Sequence, residues 1–459
     1  MPIRIEDAAT SPTTLAEGMK SMFIKSYGCQ MNVYDGLRMA ELLAPMGYQL
    51  SDTHEGADLI VLNTCHIREK ADDKVFSDIG RMKKQANSGA IIAVGGCTGQ
   101  ALGAKIMQTA PAVQVVFGPQ TYHRLPALLE KITTGQLRRA VDTDFPELEK
   151  FDNLPTPGAY GPTAFVTIQE GCDKFCTYCV VPYTRGAEIS RPAAHILQEV
   201  QTLATQGVRE VTLLGQNVNA YTDGTLSLAS LCDAIGHIPG IERIRFTTSH
   251  PNNTGEDLIA AFATNPKLMP YFHLPVQAGS NRVLQGMNRN HTVESYLATI
   301  AAVRAAQPGI AISGDFIVGF PGETEADFQQ TLQLAATVGY FGAYSFAYSP
   351  RPGTPAAESP EQIDEVTKKE RLAALQAVLD HTTAEYLTQF VGQTLQILVE
   401  GENENPERYG AQLRGRSPHN APVNFSYPAT INARALIGQI VPVCITAAAK
   451  SLLGELVHP

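Results

Sequence analysis

An α/β protein carrying a small all-β domain at its carboxyl end is predicted, on three observations. Over the first third of the chain, short strand-like runs alternate with amphipathic stretches, the pattern of a Rossmann-like parallel sheet covered by helices. A second alternating block adds six strand–helix units, which form either a large open sheet or a partial barrel. From about residue 390 the hydrophobic period falls to two, as the short strands of a small β-barrel require. At 459 residues the chain is too long for one core, and about three domains are expected.

In order along the chain, residues 1 to about 20 read as a flexible tail. FIKSY (23–27), DLIVLNT (58–64), AIIAVGG (90–96) and VQVVFG (113–118) are the strands of an N-terminal domain placed at 20–145. The stretch 145–163 is rich in Pro and Gly and reads as a linker. FVTIQE (165–170), EVTLLGQ (210–216), RIRFTT (243–248), YFHLPVQ (271–277), GDFIVGF (314–320) and AYSFAYS (343–349) are the strands of a central domain at 160–385. Either arrangement of such units puts chemistry at the carboxyl ends of the strands. A helix is expected to begin at Ser359, with Ser359 as N-cap, Pro360 at the first position and Gln362 completing a capping box. Leu372, Leu375, Val378 and Leu379 mark its buried face. In the last domain, 388–452, Leu395, Ile397 and Val399 alternate with polar residues, and QIVPVCIT (439–446) is the final strand-like run.

Apolar content of 44% and charged content of 17% describe an ordinary globular protein. The first twenty residues hold no apolar signal-peptide core, and no apolar run approaches the length of a membrane span. A cytoplasmic protein with no membrane partner is therefore expected. The net charge of −10 works against a nucleic-acid partner unless a basic surface is gathered locally. No Trp is present, so any stacking on bases falls to Tyr, Phe or Arg.

Eight cysteines stand in the sequence, and in a reducing compartment a cluster of them argues for metal ligation or catalysis. GCDKFCTYC places Cys172, Cys176 and Cys179 directly after the first strand of the second block. Three thiolates from one short loop each bind one iron of a cubane cluster and leave the fourth iron open to a small molecule. A structural zinc would want a fourth protein ligand, and no nearby His or Cys supplies it. Cys29, Cys65 and Cys97 are far apart in sequence, yet each lies within two residues of the end of a predicted strand in the first block. They are either packing residues or a second cluster site assembled along one sheet edge. Their setting beside Gly or Asn in loops speaks for the second. Cys232 and Cys444 lack such a context and read as packing residues.

The C-x3-C-x2-C spacing is the radical S-adenosylmethionine (SAM) signature, and from about residue 20 the chain resembles the radical-SAM methylthiotransferases. The resemblance rests on YGCQMN (27–32), NTC-x-IREKA (63–71), CTYCVVPYTRG (176–186), GQNVNAY (215–221), RFTTSHP (245–251), HLPVQAGS (273–280), DFIVGFPGET (315–324) and YSPRPGTPAA (348–357). It implies a radical-SAM partial barrel at the centre and a TRAM barrel at the carboxyl end. YGCQMN looks like the members that act on N6-isopentenyladenosine in tRNA. Members acting on a ribosomal protein carry Gly-Cys-Pro-Lys-Asn there, and those acting on threonylcarbamoyladenosine carry Gly-Cys-Lys-Val-Asn. The chain departs from the family pattern at Ala187 and Ile189, at Thr98 and Gly99, and in RGRSPHNAPVNF (414–425), which is poor in basic residues.

The resemblance further implies two 4Fe-4S clusters. Cys172, Cys176 and Cys179 hold the one that cleaves SAM, and Cys29, Cys65 and Cys97 an auxiliary one that carries the inserted sulfur. One SAM methylates that sulfur; a second gives the radical that takes hydrogen from C2 of the adenine at position 37, next to the anticodon. A one-electron donor of flavodoxin-like type and a monomeric state are expected. Gly215, Gln216 and Asn217 follow the second strand of the central block, and Gln277, Asp315 and Arg351 lie near the ends of later ones; all are candidates to touch SAM or substrate, or to be turn residues and satisfied polar groups. Gly319, Pro321 and Gly322 read as a turn rather than a phosphate loop, and His66 beside Cys65 as structural.

Overall fold

The computed structural model describes residues 18–66, 69–146, 149–403 and 410–457; the expected tail up to residue 17 lies outside them. Six strands form the first sheet: β1 (Lys20–Ser26), β2 (Tyr48–Leu50), β3 (Leu59–Thr64), β4 (Ile91–Gly95), β5 (Val115–Phe117) and β6 (Ala140–Asp142). They are ordered β2-β1-β3-β4-β5-β6 and every pairing is parallel. Alternate residues of β3 feed opposite faces, Leu59 and Val61 one core, Ile60 and Leu62 the other. Helices on both sides therefore bury the whole strand. β2 and β6, three residues each, are too short for periodicity to announce them.

The central block runs through β7 (Thr163–Thr167), the short pair β8 (Gln169–Glu170) and β9 (Ile189–Ser190), then β10 (Glu210–Leu214) and a small hairpin β11 (Thr222–Asp223)–β12 (Leu226–Ser227). It continues with β13 (Arg243–Phe246), β14 (Tyr271–His273), β15 (Ala311–Val318) and β16 (Gly342–Ala347). β7, β10 and β13 form one parallel half and β14, β15 and β16 the other. A single isolated bridge, Ile244 to Leu268, spans the break after β13. One continuous core, from Val166 and Ile244 through Phe272 and Phe316, joins both halves to their helices. This is the partial barrel of the two architectures left open by the sequence pattern.

Four local expectations are corrected. The stretch 145–163 is more than a linker: it holds a short helix, Glu149–Asp152, that buries Lys150. The long helix spans Glu365–Thr388 and starts after Asp364, not Ser359. The Asp364 carboxylate accepts the N–H groups of Val366 and Thr367, both at 3.0 Å, while Ser359 accepts only that of Glu361 at 3.3 Å. Two donors on a carboxylate outweigh one on a hydroxyl. Its apolar face is as expected, with Leu375 and Leu379 buried and Leu372 and Val378 packed beside them. Cys97 and Gly99 lie not in a loop but in the helix Gly96–Leu102, because the chain turns at Gly96 (φ +82°) straight from β4 into it. Finally, the C-terminal domain has a strand beyond the expected last one. β17 (Thr394–Glu402), β18 (Leu413–Arg416), β19 (Pro422–Ser426) and β20 (Ile440–Ala448) are closed into a barrel by β21 (Leu452–Leu456), which pairs with both β19 and β20.

Two buried arginines on β13 hold this barrel to the central strands. Arg243 donates to the carbonyls of Arg416 (2.9 Å) and Gln396 (2.6 Å). Arg245 donates to those of Pro418 (2.8 Å) and Ser417 (2.9 Å) and to Glu210 (2.9 Å). Cys232 is buried in the central core and Cys444 sits half-buried on β20. Gly319 and Gly322, at φ +70° and +78°, shape the expected turn after β15. Among the described residues no helix is long and apolar enough to cross a membrane.

Candidate functional site

The dispersed cysteines converge because β1, β3 and β4 are neighbours and end in register. Tyr27 N–H donates to Asn63 O at 2.8 Å, and Thr64 bridges to Gly96. Gly28 has φ +97°, and a Cβ there would stand 2.6 Å from Cys65 Sγ, so the Cys65 thiol lies directly over the backbone that leads into Cys29. Cys29 caps the helix Gln30–Leu43 and faces solvent; Cys65 and Cys97 are buried. Asn32 is the hub. Its Oδ1 accepts from Cys29 Sγ at 3.3 Å and its Nδ2 donates to Thr64 O at 2.9 Å. Thr98 Oγ1 donates to Cys65 O at 3.2 Å, tying the third cysteine's helix to the second's strand.

Cys172, Cys176 and Cys179 lie in a loop bracketed by the antiparallel pair β8·β9. Cys172 N–H donates across its base to Gly186 O at 3.2 Å. Gly171 (φ +74°) must be Gly, since a Cβ would fall 1.8 Å from Ala187 O. From the far side of the barrel the turn after the helix Asn281–Gly286 clasps the loop: Thr177 N–H donates to Met287 O at 3.1 Å, Asn288 Nδ2 to Lys174 O at 3.2 Å and Phe175 O at 3.1 Å, and buried Arg289 reaches Cys176 Sγ at 3.6 Å. Phe175 sits at φ +47°, a strained value for a bulky residue. Burial, then the neighbouring thiols, push Cys179 to about 12; burial, with Cys176 adding, pushes Cys172 to about 11. Both thiols thus stay protonated until a metal takes the proton's place.

Between the triplets lies a buried ionic junction. The helix Val181–Arg185 follows Cys179 and packs on the helix that bears Cys97. Its last residue, Arg185, donates to Asp35 (2.9 Å), Glu170 (3.1 Å) and Asn32 Oδ1 (3.3 Å). Lys150 pairs with Glu170 and lies 3.9 Å from Asp35. All four charged side chains are at most 2% exposed, two of each sign. Buried charges persist only when paired in this way.

Of the other predicted site residues, Gly215, Gln216, Asn217, Gln277 and Arg351 follow strand ends, whereas Asp315 lies inside β15. Gln216 Oε1 accepts Gly171 N–H at 2.6 Å, and its Nε2 meets Met31 Sδ behind Cys29, so this side chain links the two cysteine loops. Asn217 donates to Glu188 Oε2 at 3.0 Å, and its N–H to Gln169 Oε1 at 3.0 Å; Gly215 lets Gln169 approach, since a Cβ would meet Gln169 Oε1 at 2.6 Å. Gln277 (φ +81°) is laced to β15 by its backbone, and Asp315 lies 3.6 Å from His273 Nε2. Arg351 is buried after β16.

Sequence reasoning missed Asn32, Arg185, Ser249, His250, Arg289 and His291. Asn32, Arg185, Ser249 and His250 stand inside the motifs YGCQMN, CTYCVVPYTRG and RFTTSHP, whereas Arg289 and His291 follow a helix and carried no signal. Burial, with Arg289 and Lys174 nearby, pulls His250 down to about 2, and burial, then Arg289, pulls His291 to about 4. Both rings are neutral, with centroids 6.0 Å apart. Among the described residues Asn217 Oδ1, Ser249 Oγ, His250 Nε2 and His291 Nε2 are buried without a partner. Such orphaned polar atoms beside the compact triplet suit a charged, hydrogen-bonding ligand such as SAM.

Among the described residues no three His, Cys, Asp or Glu side chains converge as the ligands of a single ion would. A cubane makes another demand, because its thiolates bind separate irons at different corners. Two sets of three thiols, each with a buried guanidinium beside it, fit that demand.

Family models match in two places: the radical SAM superfamily at residues 166–335 and the uncharacterized protein family UPF0004 at residues 21–118. The chain is 53% identical to the tRNA-2-methylthio-N(6)-dimethylallyladenosine synthase of Maricaulis maris (strain MCS10), over 95% of this chain and 97% of that one. It is 51% identical to the synthase of the same name from Jannaschia sp. (strain CCS1), over 98% and 97%. Among solved structures, the radical S-adenosylmethionine methyltransferase TsrM of Kitasatospora setae, with cobalamin and a 4Fe-4S cluster bound, is similar in fold, with a TM-score of 0.55 at 14% identity over 74% of this chain and 77% of that one.

Proposed function

This chain belongs to the family of tRNA-2-methylthio-N(6)-dimethylallyladenosine synthases, and from that premise we propose that it methylthiolates C2 of N6-isopentenyladenosine at position 37 of tRNA. SAM serves both as radical source and as methyl donor. The observation that carries this reading is a chain half-identical to such synthases over nearly its whole length, with two cysteine triplets at the carboxyl ends of its strands.

Cys172, Cys176 and Cys179 would hold the cluster that takes SAM, and Cys29, Cys65 and Cys97 an auxiliary 4Fe-4S cluster. When bound, these groups and SAM supply the electron, the radical, the sulfur and the methyl group. The chain's own residues bind, orient and shield. Arg289 fixes Cys176, and Gln216 sets Gly171 against the helix that follows Cys29. Asn217, Ser249, His250 and His291 offer polar atoms to SAM. The target base leaves its stack to reach them. Phe175 and Tyr183, 54% and 55% exposed beside the radical loop, are suited to stack on bases.

Three domains, 20–145, 160–385 and 388–452, divide the work between auxiliary cluster, radical chemistry and RNA. A cytoplasmic monomer drawing single electrons from a flavodoxin-like donor completes the proposal.

Anaerobic reconstitution with SAM, reductant and isopentenylated tRNA, followed by mass spectrometry of the digested nucleosides, tests it. A 2-methylthio product that disappears in Cys172→Ala is expected. Accumulation of 5′-deoxyadenosine with no modified nucleoside would refute the choice of substrate while leaving the radical chemistry standing.

A further inference from the structure

Arg185 stands one helix away from the radical triplet, yet its guanidinium points into the other site. Asn32 Oδ1 lies 3.3 Å from Cys29 Sγ and 3.3 Å from Arg185 Nη2, so cation and thiol share one acceptor. Cys97 and Cys29 are also among the groups that act on the charge of Arg185. Asp35 and Glu170 grip the same guanidinium at 2.9 and 3.1 Å, and Gln120 Nε2 donates to its carbonyl at 2.9 Å. Nothing in the reaction assigned above uses this arginine.

We propose that Arg185 is a positioning residue for the auxiliary cluster: a fixed positive charge, supplied by the radical-site loop, that raises the reduction potential of the cluster held by Cys29, Cys65 and Cys97. The inference rests on the reading of those three cysteines as cluster ligands. The physics is direct. Reduction adds one electron and hence one negative charge to a group already ringed by thiolates, and a cation in a dry site stabilises the more negative state. Asp35 and Glu170 offset part of that charge but lock its position. Lys150 shares both carboxylates with Arg185, and Arg185 is the member of the junction whose guanidinium meets the acceptor of the Cys29 thiol. Because Arg185 shares a loop with Cys172, Cys176 and Cys179, one short segment sets the electrostatics of both sites.

The test isolates the auxiliary site. In the full chain, Cys172→Ala, Cys176→Ala and Cys179→Ala leave three candidate ligands; iron and sulfide are added anaerobically, and the cluster is titrated with dithionite while the electron paramagnetic resonance of the reduced form is followed. In R185Q the ratio of reduced to oxidised cluster at the parent's midpoint should fall about tenfold, equivalent to about 59 mV for one electron, whereas R185K should stay near the parent. An R185Q protein that carries its cluster at an unshifted midpoint overturns the proposal. If R185Q alone takes up no cluster, R185Q with D35N removes one charge of each sign from the junction; a lowered midpoint there supports the proposal and an unchanged one overturns it. Failure of the Arg185-bearing parent to bind any cluster would instead bring down the reading of Cys29, Cys65 and Cys97, and this inference with it.

Discussion

Gly28 shows how closely single atoms are specified at this site. Its left-handed backbone and the Cys65 thiol packed over it leave no room for a Cβ. Gly28→Ala should cost about 1–3 kcal/mol in backbone strain and displace Cys65. The expected result is a protein that loses the iron of one cluster and still cleaves SAM to 5′-deoxyadenosine; iron analysis beside that assay checks it, and full iron content would contradict the geometry. The cysteines were legible in the sequence because thiols are rare and strand ends can be located. Asn32 and Arg185 stood in the quoted motifs, but their roles depend on one oxygen shared across 153 residues, and no local pattern encodes a contact of that range.

At the level of single elements, periodicity found every strand of five residues or more except β19 and β21, and boundaries went astray where caps compete. The long helix supplies a direct check. Asp364→Ala should lower stability by about 1 kcal/mol in equilibrium urea unfolding, while Ser359→Ala should leave it unchanged; the reverse order would restore Ser359 as the cap. The C-terminal barrel supplies a second. His419 packs on Phe390 with ring centroids 4.8 Å apart, and burial, with the charge of Arg245 adding, pulls it down to about 4. The unfolded chain takes up this proton near pH 6.5 and the folded one does not. Stability should therefore be complete above pH 6.5 and decline as pH falls toward 4. His419→Phe should flatten that part of the stability profile measured by urea titration at several pH values; an unaltered slope would assign the decline to other groups.

For the whole molecule, the sequence pattern yields three regions but not their union. Asp35 comes from the helix that follows β1, Lys150 from the supposed linker, Glu170 from β8 and Arg185 from the short helix after Cys179, so the ionic junction is made by residues that only the folded chain brings together. It ties the first domain to the central strands through buried ion pairs, so the two are expected to unfold together. Lys150→Met leaves two buried carboxylates to a single guanidinium, which should cost about 3–5 kcal/mol. Calorimetry should then resolve two melting transitions where the parent is expected to give one; a single transition in the variant would mean that apolar packing alone unites the halves.

The attachment of the C-terminal barrel has a different import. Arg243 and Arg245 grasp it through four main-chain carbonyls, groups that every amino acid possesses. A grip on backbone oxygen reads the course of the chain and is indifferent to side-chain identity. Descendants of this protein can therefore rewrite the barrel's outer surface, residue by residue, and inherit its seat on the catalytic strands unchanged: the joint is conserved by geometry, while the face it presents is left to drift and selection.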